Sequence, residues 1–291
     1  MRMNSIYNKK KKTYDVVLSV LIYLSAALAV FLLIGILLYV FWKGMGVIDW
    51  KFLTTQPSAI EGTFGIAGNI LNTLYVVLIT ILIATPIGVG SAIYLNEYAK
   101  PGKMVSLIEF TTETLSGIPS IIFGLFGMIF FGQIFHLKYS ILTGALTMTL
   151  MVLPLITRNT QEALKSVPET YRSGALGMGT TKWYMIRTIL LPSAMPGIIT
   201  GIILAIGRIV GESAALMFTA GSGYLLPKTV LGFLQKILQP GGTMTVQLYL
   251  CMSKAQYDEA FGIAAVLLVI VFIINLLTKY LSKKFDVNSM S

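Results

Sequence analysis

Two charged residues, Arg208 and Glu212, stand at the end of an otherwise apolar stretch that begins near residue 188. A charged side chain at the centre of a membrane-spanning helix costs about 2.5 to 3.5 kcal/mol on insertion scales, so such residues need a reason. Being four residues apart, they would share one helix face and can pair. The forked donors of a guanidinium match the geometry of phosphate and carboxylate groups. The spacing therefore predicts one of two arrangements. Either Arg208 contacts an anion and pairs with Glu212 when no anion is bound, or the two residues form a buried pair that fixes helix register.

Arg158 is a second candidate for an anion contact, because it stands at the cytoplasmic end of another apolar run; the alternative is an ordinary interfacial anchor. His136 is the single histidine and Cys251 the single cysteine, so neither a metal-ligand cluster nor an intrachain disulfide is expected. No cofactor is expected either. A membrane enzyme would need convergent acid, base or metal groups, which this chain hardly offers. It also has no Gly-x4-Gly-Lys-Ser/Thr loop for ATP, so any ATP hydrolysis must come from a partner.

The elements that must position these residues are long apolar helices. The 291 residues are 55% hydrophobic and 12% charged, with a mean hydropathy of +0.79, whereas soluble domains are about 45 to 50% apolar and about 25% charged. Runs of about 18 or more apolar residues mark candidate spanning helices. Six occur, at 16–42, 62–96, 114–137, 139–157, 188–207 and 260–278. The sequence therefore predicts an all-α polytopic membrane protein with six spans, with Arg208 and Glu212 near the extracytoplasmic half of the fifth.

The basic residues predict the orientation of these spans. Of the 22 Lys and Arg residues, 15 fall on segments that share the side of the N-terminus, including Lys9–Lys12, and six fall on the opposite side. By the positive-inside rule both termini are cytoplasmic. Within the outer segment 221–259, two mixed apolar pieces at 229–238 and 243–252 are too short to span. They are expected either to cover the extracytoplasmic mouth or to form an ordinary surface loop.

The cytoplasmic segment 158–187 has the clearest local pattern. Ser166 and Glu169 have the spacing of a capping box, and Pro168 is tolerated in the first turn of a helix. This predicts a short helix that begins at Ser166 and ends at the flexible Gly-Met-Gly at 177–179. A helix of this length is marginal in isolation. We therefore expect it to pack against the protein's own spans or, as the sharper alternative, to dock into a partner.

The same segment resembles the cytoplasmic signature of bacterial binding-protein-dependent ABC importer permeases. That signature reads Glu-Ala-Ala, three residues, Gly, nine residues, Ile-x-Leu-Pro. Its spacing is matched here by Ser173, Gly174, Ala175, Gly179, Ile189, Leu191 and Pro192. Ser173 and Gly174 stand where the family usually has Glu and Ala. The resemblance implies that the helix at about 166–179 docks into a groove of a cytoplasmic ATP-binding subunit and transmits its motion to the spans.

Three further runs resemble the phosphate-specific branch of these permeases. They are Ile-Tyr-Leu-Asn-Glu-Tyr-Ala at 93–99, Leu-Ser-Gly-Ile-Pro-Ser-Ile-Ile-Phe-Gly-Leu at 115–125 and Ala-Ile-Gly-Arg-Ile-Val-Gly-Glu-Ser-Ala at 205–214. The chain length and the segments at 94–98 and 247–249 resemble the PstA type of subunit more than the PstC type. The resemblance implies that the substrate is phosphate, and Arg208, Glu212 and Arg158, chosen above from their charge and position, are the candidates for lining its path.

The resemblance also implies the organisation of the chain and its partners. Residues 64–280 would form the permease core, after a basic N-terminus at 1–15 and a first span with its outer loop at 16–63, and before a cytoplasmic tail at 281–291. The complex would lie in a bacterial cell membrane and contain a PstC-like permease, two PstB-like ATP-binding subunits and a PstS-like phosphate-binding protein. The chain would contact membrane lipid and no nucleic acid. The alternatives are an importer of another oxyanion and a secondary anion transporter, which would need a coupling-ion site.

Overall fold

The computed structural model describes residues 13–57, 63–227 and 229–285. The basic cluster Lys9–Lys12 and most of the predicted tail lie outside the described residues. All regular elements within the described ranges are helices, which confirms the predicted all-α class. In chain order they are α1 (Thr13–Gly44), α2 (Trp50–Thr54), α3 (Ala67–Ile93) with a π-helical extension (Tyr94–Tyr98), α4 (Lys103–Ser116), α5 (Ser120–Gly127) with a π-helical extension (Met128–Ile134), α6 (Ile141–Lys165), α7 (Glu169–Gly177), α8 (Lys182–Met185) with a π-helical extension (Ile186–Leu190), α9 (Leu191–Gly211), α10 (Ala214–Thr219), α11 (Val230–Lys236), α12 (Met244–Ser253) and α13 (Tyr257–Phe285).

Five stretches of the described chain are long and apolar enough to cross a membrane as single helices. They are Tyr14–Gly44, Ala67–Tyr98, Ile141–Lys165, Lys182–Gly211 and Tyr257–Tyr280. A sixth crossing is a bent pair, in which Lys103–Ser116 and Ser120–Ile134 meet at 101°. The prediction of six spans is confirmed when this bent pair counts as one.

The bent pair differs from the continuous span predicted at 114–137. Pro119 has no N–H to donate, and its ring disfavours a helical conformation in the residue before it. In the structure α4 therefore ends at Ser116, and Pro119 (φ −56°, ψ 137°) becomes the N-cap of α5. No residue of α4 is buried. The break thus separates an exposed amphipathic helix from a shorter, well-packed one.

The core is built where α6 runs between α3 and α9. In the most apolar window of α6, 67% of the residues are buried. Small residues allow the three helices to approach closely. A Cβ atom on Gly88 of α3 would lie 2.8 Å from the side chain of Ile156, and one on Gly201 of α9 would lie 2.7 Å from that of Asn159. These two glycines therefore determine how tightly α3 and α9 pack on α6.

The first helix, α1, lies at the periphery of this bundle. None of the residues in its most apolar window is buried. It packs against α13, where the rings of Tyr39 and Phe261 meet edge to face with their centres 5.6 Å apart. A Cβ atom on Gly44 would lie 2.5 Å from the carbonyl oxygen of Phe261. An apolar helix that touches the bundle along one edge presents the rest of its surface to lipid.

The outer segment packs against the ends of the spans. The N–H groups of Ile141 and Leu142, at the start of α6, donate to the carbonyl oxygens of Gln239 (3.0 Å) and Ile237 (2.9 Å). The amide of Asn72 in α3 donates to the carbonyl oxygen of Gly242 at 3.1 Å. The bonds of Ile141 and Leu142 satisfy backbone N–H groups in the first turn of α6 that have no partner within their own helix. Of the two predicted alternatives, the structure therefore supports the covering segment over the free surface loop.

Candidate functional site

A cavity of about 200 Å³ lies between α4, α6 and α9. Both arginines singled out by the sequence, Arg158 and Arg208, line it. The rest of the wall is mostly apolar and includes Leu115, Met151 and Leu155. A cavity with an apolar wall and two guanidinium groups has the composition of a small-anion site, in which few polar groups fix the ligand.

The antiparallel packing of α6 and α9 brings the two arginines together. A Cβ atom on Gly197 would lie 2.6 Å from the Cβ of Ala163, and the next turn of α9, at Gly201, meets the preceding turn of α6, at Asn159. Two further turns, about 10 Å along the axis, bring Arg208 level with Val152, which is next to Met151 in the wall of the cavity. The side chain of Arg208 is exposed, and it forms no ion pair with any residue that the structure describes.

Arg158 already has two carboxylate partners. Its Nη1 lies 3.6 Å from Oε1 of Glu113 on α4, and its Nε lies 3.4 Å from Oε1 of Glu162, one turn along α6. The three side chains are 59 to 71% exposed, so these contacts are weak and exchangeable. Glu113, Glu162 and Lys165 line a second cavity of about 260 Å³, and Arg158 lies in the walls of both cavities.

Glu212 does not pair with Arg208 in the structure. Helix α9 ends at Gly211, and Glu212 has an extended backbone (ψ 127°), so the one-turn spacing assumed from the sequence is lost. The carboxylate of Glu212 instead accepts a hydrogen bond from the N–H of Ala215 in α10 at 3.1 Å, and its carbonyl oxygen accepts one from the hydroxyl of Thr245 at 2.8 Å. The prediction of an Arg208–Glu212 pair was wrong, because Glu212 joins α9, α10 and α12.

Helix α7 is shorter than predicted and begins differently. It spans Glu169–Gly177, with Pro168 at the N-cap. The hydroxyl of Ser166 donates to the carbonyl oxygen of Ala163 at 2.8 Å and so ends α6, while Glu169 pairs with Arg172 at 3.1 Å. The predicted capping box is therefore absent, because both of its side chains bond elsewhere.

The seven signature residues divide into buried and exposed groups. Ala175 is 2% exposed and packs with Leu164 and Leu190, and Ile189 and Leu191 lie against the same cluster. Pro192 is the second residue of α9 and follows the π-helical extension Ile186–Leu190 of the same span, where the regular helical hydrogen bonding is already interrupted. Ser173 and Gly174 are exposed. Gly179 is exposed and adopts a left-handed conformation (φ 80°) that favours glycine.

An apolar surface next to these residues was missed by the sequence analysis. It comprises Tyr171, Leu176, Met178, Trp183 and Tyr184, which are 49 to 78% exposed. The five side chains lie on α7, on α8 and on the turn between them, and exposed large apolar groups of this kind mark interaction surfaces. The presence of two tyrosines, a tryptophan and a methionine within an otherwise charged segment was the signal that would have located this surface. We call it the α7–α8 surface.

Residues 84–287 match the family described as "Binding-protein-dependent transport system inner membrane component". The chain is 36% identical over 272 residues to the probable ABC transporter permease protein YqgI of Bacillus subtilis, covering 89% of this chain and 91% of that one. It is 33% identical to the phosphate transport system permease protein PstA of Haemophilus influenzae, covering 74% and 76%. A crystal structure of a bacterial alginate ABC transporter has the same fold, with a TM-score of 0.67 at 16% identity over 96% of this chain and 99% of that one.

Proposed function

The chain belongs to the family of binding-protein-dependent transport system inner membrane components, and we propose that within it this protein is the PstA-type permease subunit of an ATP-driven importer of inorganic phosphate. Its place as a permease subunit of an ABC importer follows from the family. The substrate, the path residues and the partners are the proposal. Relatives such as the Haemophilus influenzae protein are named as permeases of phosphate transport systems.

The observation that carries the proposal is the shared cavity of Arg158 and Arg208. At neutral pH phosphate carries between one and two negative charges, which two guanidinium groups can neutralise with forked hydrogen bonds. A site of about 10 to 15 Å³ accommodates one water-sized group, so a cavity of about 200 Å³ has room for a small oxyanion with part of its hydration shell. Arg208 would bind phosphate first, because Arg158 is partly occupied by Glu113 and Glu162.

The proposed partners would use surfaces that this chain leaves exposed. The α7–α8 surface, together with Ser173, Gly174 and Gly179, would dock into a PstB-like ATP-binding subunit. The exposed helix α4, which has no buried residue, would face a PstC-like permease that completes the path. A PstS-like binding protein would deliver phosphate to the side covered by the outer segment. Both termini would be cytoplasmic, in agreement with the distribution of basic residues.

Transport by the reconstituted complex tests this proposal. The chain, its second permease and its ATP-binding subunits are placed in liposomes, and uptake of radiolabelled phosphate and sulfate is measured with its binding protein outside and ATP at the face of the ATP-binding subunits. We expect ATP-dependent uptake of phosphate in excess of sulfate. ATP-dependent uptake of sulfate alone would agree with an ABC importer but contradict phosphate as its substrate. Phosphate uptake that does not depend on ATP would indicate a secondary transporter.

A further inference from the structure

A buried ion pair joins the cytoplasmic helix α7 to the end of α3. Nη2 of Arg172 lies 3.2 Å from Oε1 of Glu97, and Nε of the same guanidinium lies 3.3 Å from the same oxygen. The side chains are only 13% and 5% exposed, respectively. The other three ion pairs among the described residues each include a carboxylate that is at least 66% exposed. This contact is therefore the best shielded from water and from salt.

The same guanidinium also binds the end of α6. Its Nη2 donates to the carbonyl oxygen of Leu164 at 2.8 Å, and its Nη1 donates to that of Val167 at 3.0 Å. The carbonyl of Leu164 belongs to the last turn of α6, where carbonyl groups have no partner within the helix. Arg172 thus fastens α7 to two core helices at once, α3 through Glu97 and α6 through Leu164.

Glu97 holds the far end of the segment as well. The ammonium group of Lys182, at the start of α8, donates to the backbone carbonyl of Glu97, and it lies 5.1 Å from the centre of the Tyr98 ring. Glu97 and Tyr98 both belong to the π-helical turn that ends the α3 span. Such turns are rare and occur frequently at functional sites. The stretch from Arg172 to Lys182 is therefore tied at both ends to one turn of one span.

We infer that Glu97 and Arg172 are the positioning residues that transmit a displacement of α7 to α3 and α6. The inference rests on the proposed docking of α7 to an ATP-binding subunit. Helix α7 has nine residues and buries only Ala175, so apolar packing alone connects it weakly to the core. A buried ion pair adds little to stability but fixes geometry. Because α6 carries Arg158 into the substrate cavity, a push on α7 would be felt at that cavity.

The experiment measures whether closure of the ATP-binding subunits changes the cavity between α4, α6 and α9. It uses the complete complex reconstituted in liposomes. A cysteine introduced as Ser116→Cys lines the cavity, and the natural Cys251 is 1% exposed and gives little background. Labelling of this cysteine by a water-soluble maleimide is compared with and without ATP and vanadate, which trap the ATP-binding subunits closed. We expect a several-fold change in labelling rate in the parent complex and in the control Lys100→Gln, an exposed residue near Glu97 that has no ion pair with a described residue.

Glu97→Gln keeps the size of the side chain and removes its charge. We expect the ATP-dependent change in labelling to disappear while the ATP-binding subunit still co-purifies. If ATP still changed the labelling rate of Glu97→Gln as much as that of the parent complex, the inference would be overturned. Since a guanidinium left unpaired in a buried site is destabilising, a second variant, Glu97→Leu with Arg172→Met, replaces the pair by apolar side chains. It should restore the level of the complex and remain unresponsive to ATP.

Two results with the apolar pair would contradict the inference. A normal response to ATP would show that packing alone transmits the motion. If neither Glu97→Gln nor the apolar pair accumulated in the membrane, the ion pair would be required for folding and not for transmitting motion. Absence of the ATP-binding subunit from the parent complex would instead refute the proposed docking of α7 itself, and the inference with it. Co-purification from the parent complex therefore distinguishes the two failures.

Discussion

Arg158 and Arg208 line one cavity although they belong to different spans. Helices α6 and α9 bring them together through glycine contacts, at Gly197 and Gly201, that leave no space for a side chain between the two helices. Only one of the two arginines has carboxylate partners among the described residues. This asymmetry allows the role of each arginine to be tested separately, because removing a neighbouring carboxylate should affect anion binding by Arg158 and not by Arg208.

The first prediction concerns Arg208. Arg208→Gln should lower phosphate uptake by about tenfold or more, because a charge-assisted hydrogen bond contributes about 1.5 to 3 kcal/mol, and Arg208→Lys should be impaired through loss of the forked geometry. Glu212→Gln should have a small effect, since the amide oxygen can still accept from Ala215. Initial uptake rates are compared at equal membrane levels of the complex.

The double variant, Arg208→Gln with Glu212→Gln, is the decisive control. Because the two residues do not pair in the structure, the effects should add, and the double variant should be as inactive as Arg208→Gln. Recovery of uptake in the double variant would show that the two charges compensate each other after all.

A second prediction concerns the carboxylates around Arg158. Glu113→Gln should tighten phosphate binding by the complex by up to about fivefold, since an exposed pair contributes at most about 1 kcal/mol, and the gain should shrink at high salt. Glu109→Gln is the matched control, because Glu109 lines the neighbouring cavity and forms no ion pair with a described residue. Equal affinities of the two variants by calorimetry would contradict a competing role for Glu113.

A third prediction separates docking from folding in α7. Gly174→Glu places a charge at an exposed position where an added side chain meets nothing, so the permease should accumulate normally and lose its ATP-binding subunit. Gly174→Ala should retain that subunit and stabilise the helix by about 0.5 to 1 kcal/mol. Ala175→Glu buries a charge in the Leu164 cluster and should lower the level of the permease itself. Membrane levels and co-purification are the two measurements.

The fourth prediction concerns the contact between α6 and α9. Gly201→Ala would place a methyl group 2.7 Å from Asn159, and overpacking of this kind costs about 1 to 3 kcal/mol. The melting temperature in detergent should fall. Gly207→Ala, on the same helix but with open space around it, should leave the melting temperature unchanged or raise it slightly. A similar effect of both substitutions would show that α9 does not pack on α6 at Gly201.

The fifth prediction concerns orientation. Thiols introduced as Leu225→Cys, at a residue that is 65% accessible, and as Lys100→Cys both lie on exposed residues, and neither belongs to the α7–α8 surface. With both termini cytoplasmic, an impermeant maleimide should label the first in intact cells and the second only after lysis. Burial raises the pKa of the Cys251 thiol, which lowers its reactive thiolate fraction and so keeps the background low. Labelling of Lys100→Cys in intact cells would show that the orientation is the reverse of the predicted one.

The class of the protein and the importer signature could be read from the sequence. Both depend on local regularities: apolar runs long enough to cross a bilayer, and a signature whose spacing is set along one stretch of chain. Arg208 and Arg158 could be chosen as candidates for the same reason, since a charge within or beside an apolar run stands out without knowledge of its neighbours. The break at Pro119 was also encoded locally, because a proline cannot donate the hydrogen bond that continues a helix.

The partners of the charged residues were decided only by the tertiary structure. Glu212 turned away from Arg208 because α9 ends one residue before it, and Arg172 found Glu97 at the end of a distant span. Ala175 became part of the core while Gly174 beside it stayed exposed. Hydrophobic periodicity determines which helices form. Which side chains meet depends on how closely the helices approach, and this is set by small residues on facing turns that no single segment specifies.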